Sequence, residues 1–312
     1  MFGASFKRQA WVRRFSSCDA SAILEAPRVT IAETIQTAAV TLAAAGVENP
    51  RVDAEWLMAH VLNCRRPELG LRRNETLTEP QAAQWLALIA RRAERIPLQH
   101  LLGTADFCGL EMAVNDNVLV PRPETEGLAE AAWRFANSLE RPTILDLGTG
   151  SGCLAIAIAV NCPGAGVHAL EVSSAAMALA RANAARHQVS DRIIFHEGDG
   201  FAALPGDLSF DLIVSNPPYI PSAEIENLQP EVRDHDPRVA LDGGADGLDF
   251  FRTIAAHARA ALRPGGRLML EIGDGQAEAV AALLADAGWG ECDLLPDLNN
   301  VLRIVIASPA DS

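Results

Sequence analysis

Two short stretches of this 312-residue chain carry residue types whose spacing could do chemistry. The first is Asp146-Leu-Gly148-Thr149-Gly150-Ser151-Gly152. Glycines there let the backbone close up on a ligand, and a helix opening just after them presents free N–H donors. The spacing is GxGxG rather than the GxGxxG of dinucleotide binders, because position 153 is Cys. A pyrophosphate is thereby disfavoured, and NAD is the lesser alternative. Glu171, 23 residues beyond Gly148, can accept both hydroxyls of a ribose. A carboxylate also repels phosphate, so the combination describes a nucleoside that carries none. Asp199 and Gly200 follow as candidate adenine contacts.

The second stretch is Ser215-Asn216-Pro217-Pro218-Tyr219. Two prolines directly after a strand end its ladder and stiffen the backbone. The Asn216 side-chain carbonyl and the Pro217 backbone carbonyl are then two rigid acceptors, suited to a planar –NH2 group. An amide or exocyclic amine nitrogen is a poor nucleophile because its lone pair is delocalised. Acceptors lying out of the plane favour a pyramidal nitrogen and aim that lone pair. Such contacts strengthen as charge develops on nitrogen, which is the condition for catalysis rather than mere binding. Tyr219, the only tyrosine, could stack on the planar group or line its pocket. S-adenosylmethionine meets the requirements of the first stretch: adenine, ribose, and a sulfonium that an acidic pocket tolerates.

The elements that must position these residues alternate. Apolar strand patterns at Thr143–Leu147, Val167–Leu170, Arg192–His196, Phe210–Val214, Arg267–Ile272 and Val301–Ala307 are separated by helical ones, two of them near 249–262 and 276–287. Alternation of this kind implies a parallel sheet covered on both faces, with ligands at the carboxyl ends of its strands. Both chemical stretches fall at such ends.

Upstream, residues 30–105 read as helical. Thr30 and Glu33 have capping-box spacing, Gly46 suits a helix terminator, and Pro80 stands in the first turn of a helix ending before Pro97. A middle helix over Val52–Leu62 is expected to bring Trp56, Leu57, Ala59, His60 and Val61 near one face. Residues 106–122 read as a β-hairpin connector: Leu110, Met112 and Val114 alternate, Asn115-Asp116-Asn117 offers a turn, and Val118 and Val120 resume. A helix over Gly127–Leu139 follows. Residues 1–29, with Lys7, Arg8, Arg13 and Arg14 and no acid before Asp19, read as a poorly ordered extension, the alternative being a transit peptide.

Composition narrows the partners. Net charge is −14, and residues 106–312 carry 13 basic against 30 acidic groups, a balance of −17. A field of that sign repels phosphate backbones, so no stable nucleic-acid partner is expected there. The longest strictly apolar run, Cys153–Val160, is too short for a membrane span. Six cysteines without a CxxC pair, and seven histidines without HExxH, suggest a reducing compartment and no metal site.

Taken together, the chain resembles the HemK/PrmC-type protein-glutamine N5-methyltransferases. The similarity covers about residues 30–307 and rests on Arg95–Gly103, Val118–Glu126, Ile144–Cys153, Val214–Ile220, Ala240–Leu248 and Leu268–Gly273. Asn-Pro-Pro-Tyr alone is shared with adenine-N6 methyltransferases, whereas Pro-Arg-Pro-Glu-Thr-Glu and Asp-Gly-Gly are more specific. The resemblance implies an α/β chain: a Rossmann-like class I S-adenosylmethionine-dependent methyltransferase sheet over residues 123–312, preceded by a small all-helical substrate-recognition domain over 30–105. It implies methylation of the glutamine in the Gly-Gly-Gln motif of peptide chain release factors, with S-adenosyl-L-homocysteine as product. Gly148, Thr149, Gly150, Ser151 and Gly152 would hold the methionine moiety, Glu171 the ribose, and Asn216 both cofactor and substrate. Asn216, Pro217, Pro218 and Tyr219 would grip the glutamine amide, with Asn216, Pro217 and Tyr219 catalytic. Arg122 and Glu124 would be pocket-wall residues. The ribose position is often Asp in such enzymes and here is Glu171. Where an aromatic residue sometimes meets adenine, this chain has Gly200, leaving Phe201 for that role. The alternatives are a glutamine methyltransferase of a ribosomal protein and an adenine-N6 methyltransferase of nucleic acid. A bacterial cytoplasmic location is expected, or a mitochondrial one if residues 1–29 are a transit peptide.

Overall fold

The computed structural model describes residues 29–310, so the expected N-terminal extension lies outside the described residues except for Val29. The chain divides into two units after Ala87. The first contains α1 (Ile31–Ala44), α2 (Pro50–Val61) and the beginning of α3 (Glu79–Ala93). The expected capping box opens α1: Glu33 N–H donates to Thr30 Oγ1 at 3.3 Å, and Thr30 N–H donates to Glu33 Oε2 at 2.9 Å. Both satisfy donors that a first turn leaves without helical partners. Gly46 at φ +79° closes the segment. In α2 the buried face is Ala54, Leu57, Met58 and Val61, whereas Trp56 and His60 face outward. The correction follows from the helical period: positions i, i+3, i+4 and i+7 share a face, and 56 and 60 fall off it.

The second unit begins with an antiparallel pair, β1 (Thr104–Phe107) and β2 (Leu110–Ala113). This moves the expected hairpin toward the N-terminus. Its turn is Cys108-Gly109, where both residues have positive φ, 51° and 73°, as a tight two-residue hairpin turn requires. Residues 118–121 form no strand; Val118 and Val120 are instead buried with Ala105 and Val114. Their alternation marked burial, not pairing. Helix α4 (Pro123–Ala136) starts earlier than expected, at a proline whose missing N–H costs nothing in a first turn.

Seven strands form the main sheet: β3 (Thr143–Leu147), β4 (Gly166–Glu171), β5 (Ile193–Glu197), β6 (Phe210–Ser215), β7 (Leu262–Glu271), β8 (Asp293–Pro296) and β9 (Leu302–Ala307). Their order is β5-β4-β3-β6-β7-β9-β8. The first five run parallel; β9 pairs antiparallel with both β7 and β8, which makes the sheet mixed rather than wholly parallel. The β8–β9 hairpin, whose first strand the sequence pattern did not reveal, inserts its second strand beside β7. Helices α5 (Cys153–Asn161), α6 (Ser174–Arg186), α7 (Asp249–Ala261) and α8 (Ala277–Asp286) complete the layers.

Neighbouring strand residues point to opposite faces, and two cores result. Ile144 joins Leu128 and Ala132 of α4 and Ile156 of α5, while Leu145 joins Phe251 and Ile254 of α7 and Leu284 of α8. The chain lays β4 and β5 to one side of β3, then returns to the other side with β6. A crevice is expected where that order reverses, beyond the carboxyl ends of β3 and β6. Among the described residues, no helix is long and apolar enough to cross a membrane.

Candidate active site

Every stretch singled out for chemistry emerges at that end of the sheet. Residues 148–152 link β3 to α5, Glu171 ends β4, Asp199 and Gly200 follow β5, and Asn216 follows β6. The glycine loop is pinned from below. Gly148 and Thr149 N–H groups both donate to Leu170 O at 2.9 Å. Asp146, wholly buried, accepts from Thr149 Oγ1 at 2.6 Å and from Ala155 N–H at 3.1 Å. Thr149 therefore spends its hydroxyl inside the protein. Burial pushes the Asp146 carboxyl up to about 7, against the pull of those two donors, and its Oδ1 has no partner among the described residues.

Glu171 holds the loop from above, accepting Gly150 N–H on Oε2 and Ser173 N–H on Oε1, both at 2.9 Å. Each oxygen keeps a further lone pair for a ligand hydroxyl. Gly148 and Gly150 have positive φ, +77° and +55°, and a Cβ on either would meet nothing within 4 Å. They are needed for backbone conformation, and they leave open space above. Gly152 differs: at φ +84° its Cβ would come within 3.0 Å of Ile156 Cδ1 and 3.2 Å of Ala180 Cβ. We expect Gly152→Ala to lower stability by about 1–3 kcal/mol through left-handed strain and crowding against α6, read as a fall in thermal midpoint. An unchanged midpoint would contradict the packing described.

Two adjoining cavities flank the loop. One of about 150 Å³ is lined by Gly148 to Ser151, Glu171, Arg122, Thr125 and Asn216. The other, about 370 Å³, is lined by Gly148, Glu171, Asp199, Gly200, Pro217 and Pro218. Its apolar wall comprises Leu147, Leu170, Phe201, Phe250 and Ile254. Phe201, stacked against His257, thus borders the cavity; Phe250 on α7, which the sequence reading missed, borders both. An apolar-walled cavity beside a carboxylate that keeps lone pairs free fits a nucleoside bearing positive charge and no phosphate.

Asn216 stands where this space meets a third cavity of about 150 Å³, lined by Arg122, Asn216, Pro217, Tyr219, Ile220 and Val232 among others. The residues expected to grip an amide are brought together there, except Pro218, which lines the first two cavities. Ser215 Oγ donates to Leu147 O at 2.6 Å and locks the ends of β6 and β3. Asn216 Nδ2 donates to Thr125 Oγ1 at 3.1 Å, and Tyr219 OH donates to Glu271 Oε1 at 3.3 Å. Burial and the neighbouring Glu271 push the Tyr219 phenol up, so it stays protonated. Arg122 is held by Asp236 at 2.6 Å. Glu124, expected in this wall, instead lines a separate hollow of about 640 Å³ with Cys108 and Glu126. It stands one residue before Thr125 on α4, so its side chain leaves the helix in another direction.

The Asp-Gly-Gly block proves to be backing for the tyrosine turn. Ile220 bridges to Asp242, and a Cβ on Gly243 would lie 2.8 Å from Tyr219 Cα. On Gly247 it would lie 2.3 Å from Tyr219 O. Asp242 accepts from Ser222 Oγ at 2.5 Å and from Gly244 N–H at 3.1 Å, which hold its carboxyl below the ordinary range. Asn183 of α6, fully buried, was also missed. Its amide accepts from Ala113 N–H at 2.8 Å and donates to Ala113 O at 3.0 Å and to Ser151 O at 2.9 Å.

Comparison with known proteins gives a consistent picture. Residues 33–103 match the model of the PrmC N-terminal domain, and residues 131–229 match that of the methyltransferase small domain. The release factor glutamine methyltransferase of Geobacter sulfurreducens is 48% identical over 85% of this chain and 91% of its own length. That of Cereibacter sphaeroides is 44% identical over 88% and 97%. Among solved structures, the hMettl16 catalytic domain in complex with the MAT2A 3'UTR hairpin 1 superposes with a TM-score of 0.53 at 17% identity, covering 82% of this chain and 92% of that one. At that identity the likeness concerns the fold alone.

Proposed function

The chain belongs to the release factor glutamine methyltransferase family, and from that premise we propose that it methylates the side-chain amide nitrogen of the Gly-Gly-Gln glutamine in peptide chain release factors, using S-adenosyl-L-methionine. The observation that carries this reading is the position of Asn216, which borders the glycine-loop cavity on one side and the Tyr219 cavity on the other.

When bound, S-adenosylmethionine supplies an electrophilic methyl group on a sulfonium. The backbone of Gly148 to Gly152, with Ser151, would hold its methionine end, Glu171 its ribose, and Asp199, Gly200 and Phe201 its adenine. Asn216 Oδ1 and Pro217 O would accept the two hydrogens of the glutamine –NH2 and draw its nitrogen out of conjugation. Acceptors fixed in advance stabilise charge as it develops on nitrogen without having to reorganise. Tyr219, Pro218 and Arg122 would confine the planar amide. No side chain is needed as base, since the methylated nitrogen is strongly acidic and can release its proton to water.

The test is incubation with methyl-labelled cofactor and, separately, a release factor, the same factor with its Gly-Gly-Gln glutamine changed to alanine, ribosomal proteins and DNA. Label is expected on the intact release factor alone. Label on DNA or on a ribosomal protein instead would overturn the substrate assignment.

A further inference from the structure

We propose that Thr125 and Glu271 act together as positioning residues that decide which end of the Asn216 amide faces the substrate cavity. This rests on the role given to Asn216 above. A side-chain amide has two ends of nearly equal size, one a double donor and the other an acceptor. An –NH2 end turned toward the glutamine –NH2 would set donor against donor. Shape cannot prevent that; only a hydrogen-bond partner behind the amide can.

That partner is Thr125 Oγ1, 3.1 Å from Asn216 Nδ2. A threonine hydroxyl can donate or accept, so it must itself be directed. Behind it lies Glu271, 2% exposed at the end of β7, which accepts the Tyr219 hydroxyl on Oε1. Its buried Oε2 has no partner among the described residues, an open acceptor near enough to the Thr125 hydroxyl for that hydroxyl to favour the ionised carboxylate. An ionised carboxylate only accepts. Thr125 must then give its proton to Glu271 and offer its lone pair to Nδ2, which leaves Oδ1 for the cavity. The same carboxylate fixes the Tyr219 hydroxyl at 3.3 Å, so one buried anion orients both polar side chains of the Asn-Pro-Pro-Tyr turn.

If Glu271 takes a proton, the logic inverts. It becomes a donor, Thr125 can pass its own proton to Oδ1, and the amide is free to turn over. The charged groups that act on Glu271 are Arg303, which favours its ionised form, and Glu124, which opposes it from its separate hollow; burial is the largest influence and pushes the carboxyl up to about 7. The ionised form is the active one. Methyl transfer should therefore be full above that pH and decline as pH falls through it.

The experiment compares wild type, Glu271→Gln, Thr125→Val and Thr125→Ser. It measures kcat, KM for the release factor and Kd for S-adenosylmethionine from about pH 5.5 to about 9, a span bracketing the titration. Side-chain amide ¹⁵N spectra are recorded alongside, with the Asn216 signal identified by its loss in Asn216→Ala. E271Q and T125V are expected to lower kcat by about 10–100-fold, the range typical of partners that orient an active group. Cofactor Kd should stay within about twofold, and T125S should restore most of the rate. The Asn216 amide signal should titrate near neutral pH in wild type and stay flat in E271Q. A kcat step that persists in E271Q, or an Asn216 signal that does not titrate in wild type, overturns the proposal. Wild type that methylates no release factor while its amide signal still titrates would sink the substrate assignment and leave the orienting relay standing.

Discussion

Asn216→Ala should bind S-adenosylmethionine within a few-fold of wild type yet transfer methyl about 10²–10³-fold more slowly, the usual cost of deleting one preorganised polar group at a reacting centre. The split follows from where Asn216 stands. It contributes one wall residue among many to the glycine-loop cavity, whose loop is anchored independently by Asp146 and Glu171. Toward the other cavity it offers the one side-chain carbonyl expected to meet the substrate nitrogen. Isothermal titration with cofactor and single-turnover transfer to a release factor separate the two effects. Transfer at the wild-type rate would remove Asn216 from the chemistry.

Glu171→Ala is expected to fail at the opposite step, weakening S-adenosylmethionine by about 100-fold or more. Two ribose hydroxyls on a carboxylate are charge-assisted bonds, worth about 1.5–3 kcal/mol each. The substitution also releases the Gly150 and Ser173 N–H groups, both held at 2.9 Å, so the loop loses its upper anchor. Glu171→Gln should fall between, because its carbonyl keeps one acceptor while its –NH2 opposes the other donor. Saturating cofactor should recover much of the rate in either variant. An unchanged Kd for Glu171→Ala would contradict the ribose assignment.

Much of this was legible in the residues. The parallel strands were visible because each is a short apolar run ending in chemistry-bearing residues, and a sheet covered on both faces needs such runs. Glu171 and Asn216 could be placed because strand ends, glycine loops and prolines fix position by local geometry. What stayed hidden depends on distant partners. Thr125 read only as one letter of the Pro-Arg-Pro-Glu-Thr-Glu segment ahead of the expected helix, and nothing near it announces Asn216, 91 positions away. Glu271 did leave a trace: a lone acid closing the apolar run Leu268-Met269-Leu270. In a strand buried on both faces, such an acid must have donors, and finding which ones requires the fold. The β8 strand escaped because its Asp293-Leu294-Leu295-Pro296 pattern sits on an exposed edge, where one neighbour suffices and alternation is weak. The hairpin was misplaced for a related reason: Cys108-Gly109 is not a strong turn signal, whereas Asn115-Asp116-Asn117 is.

The triple grip of Asn183 has a mechanical corollary. A single uncharged side chain clasps both backbone groups of Ala113 and the carbonyl of Ser151, fastening the short β1–β2 ribbon to the glycine loop. The ribbon lines neither cavity beside the glycine loop, yet through Asn183 it helps set where the Ser151 backbone stands.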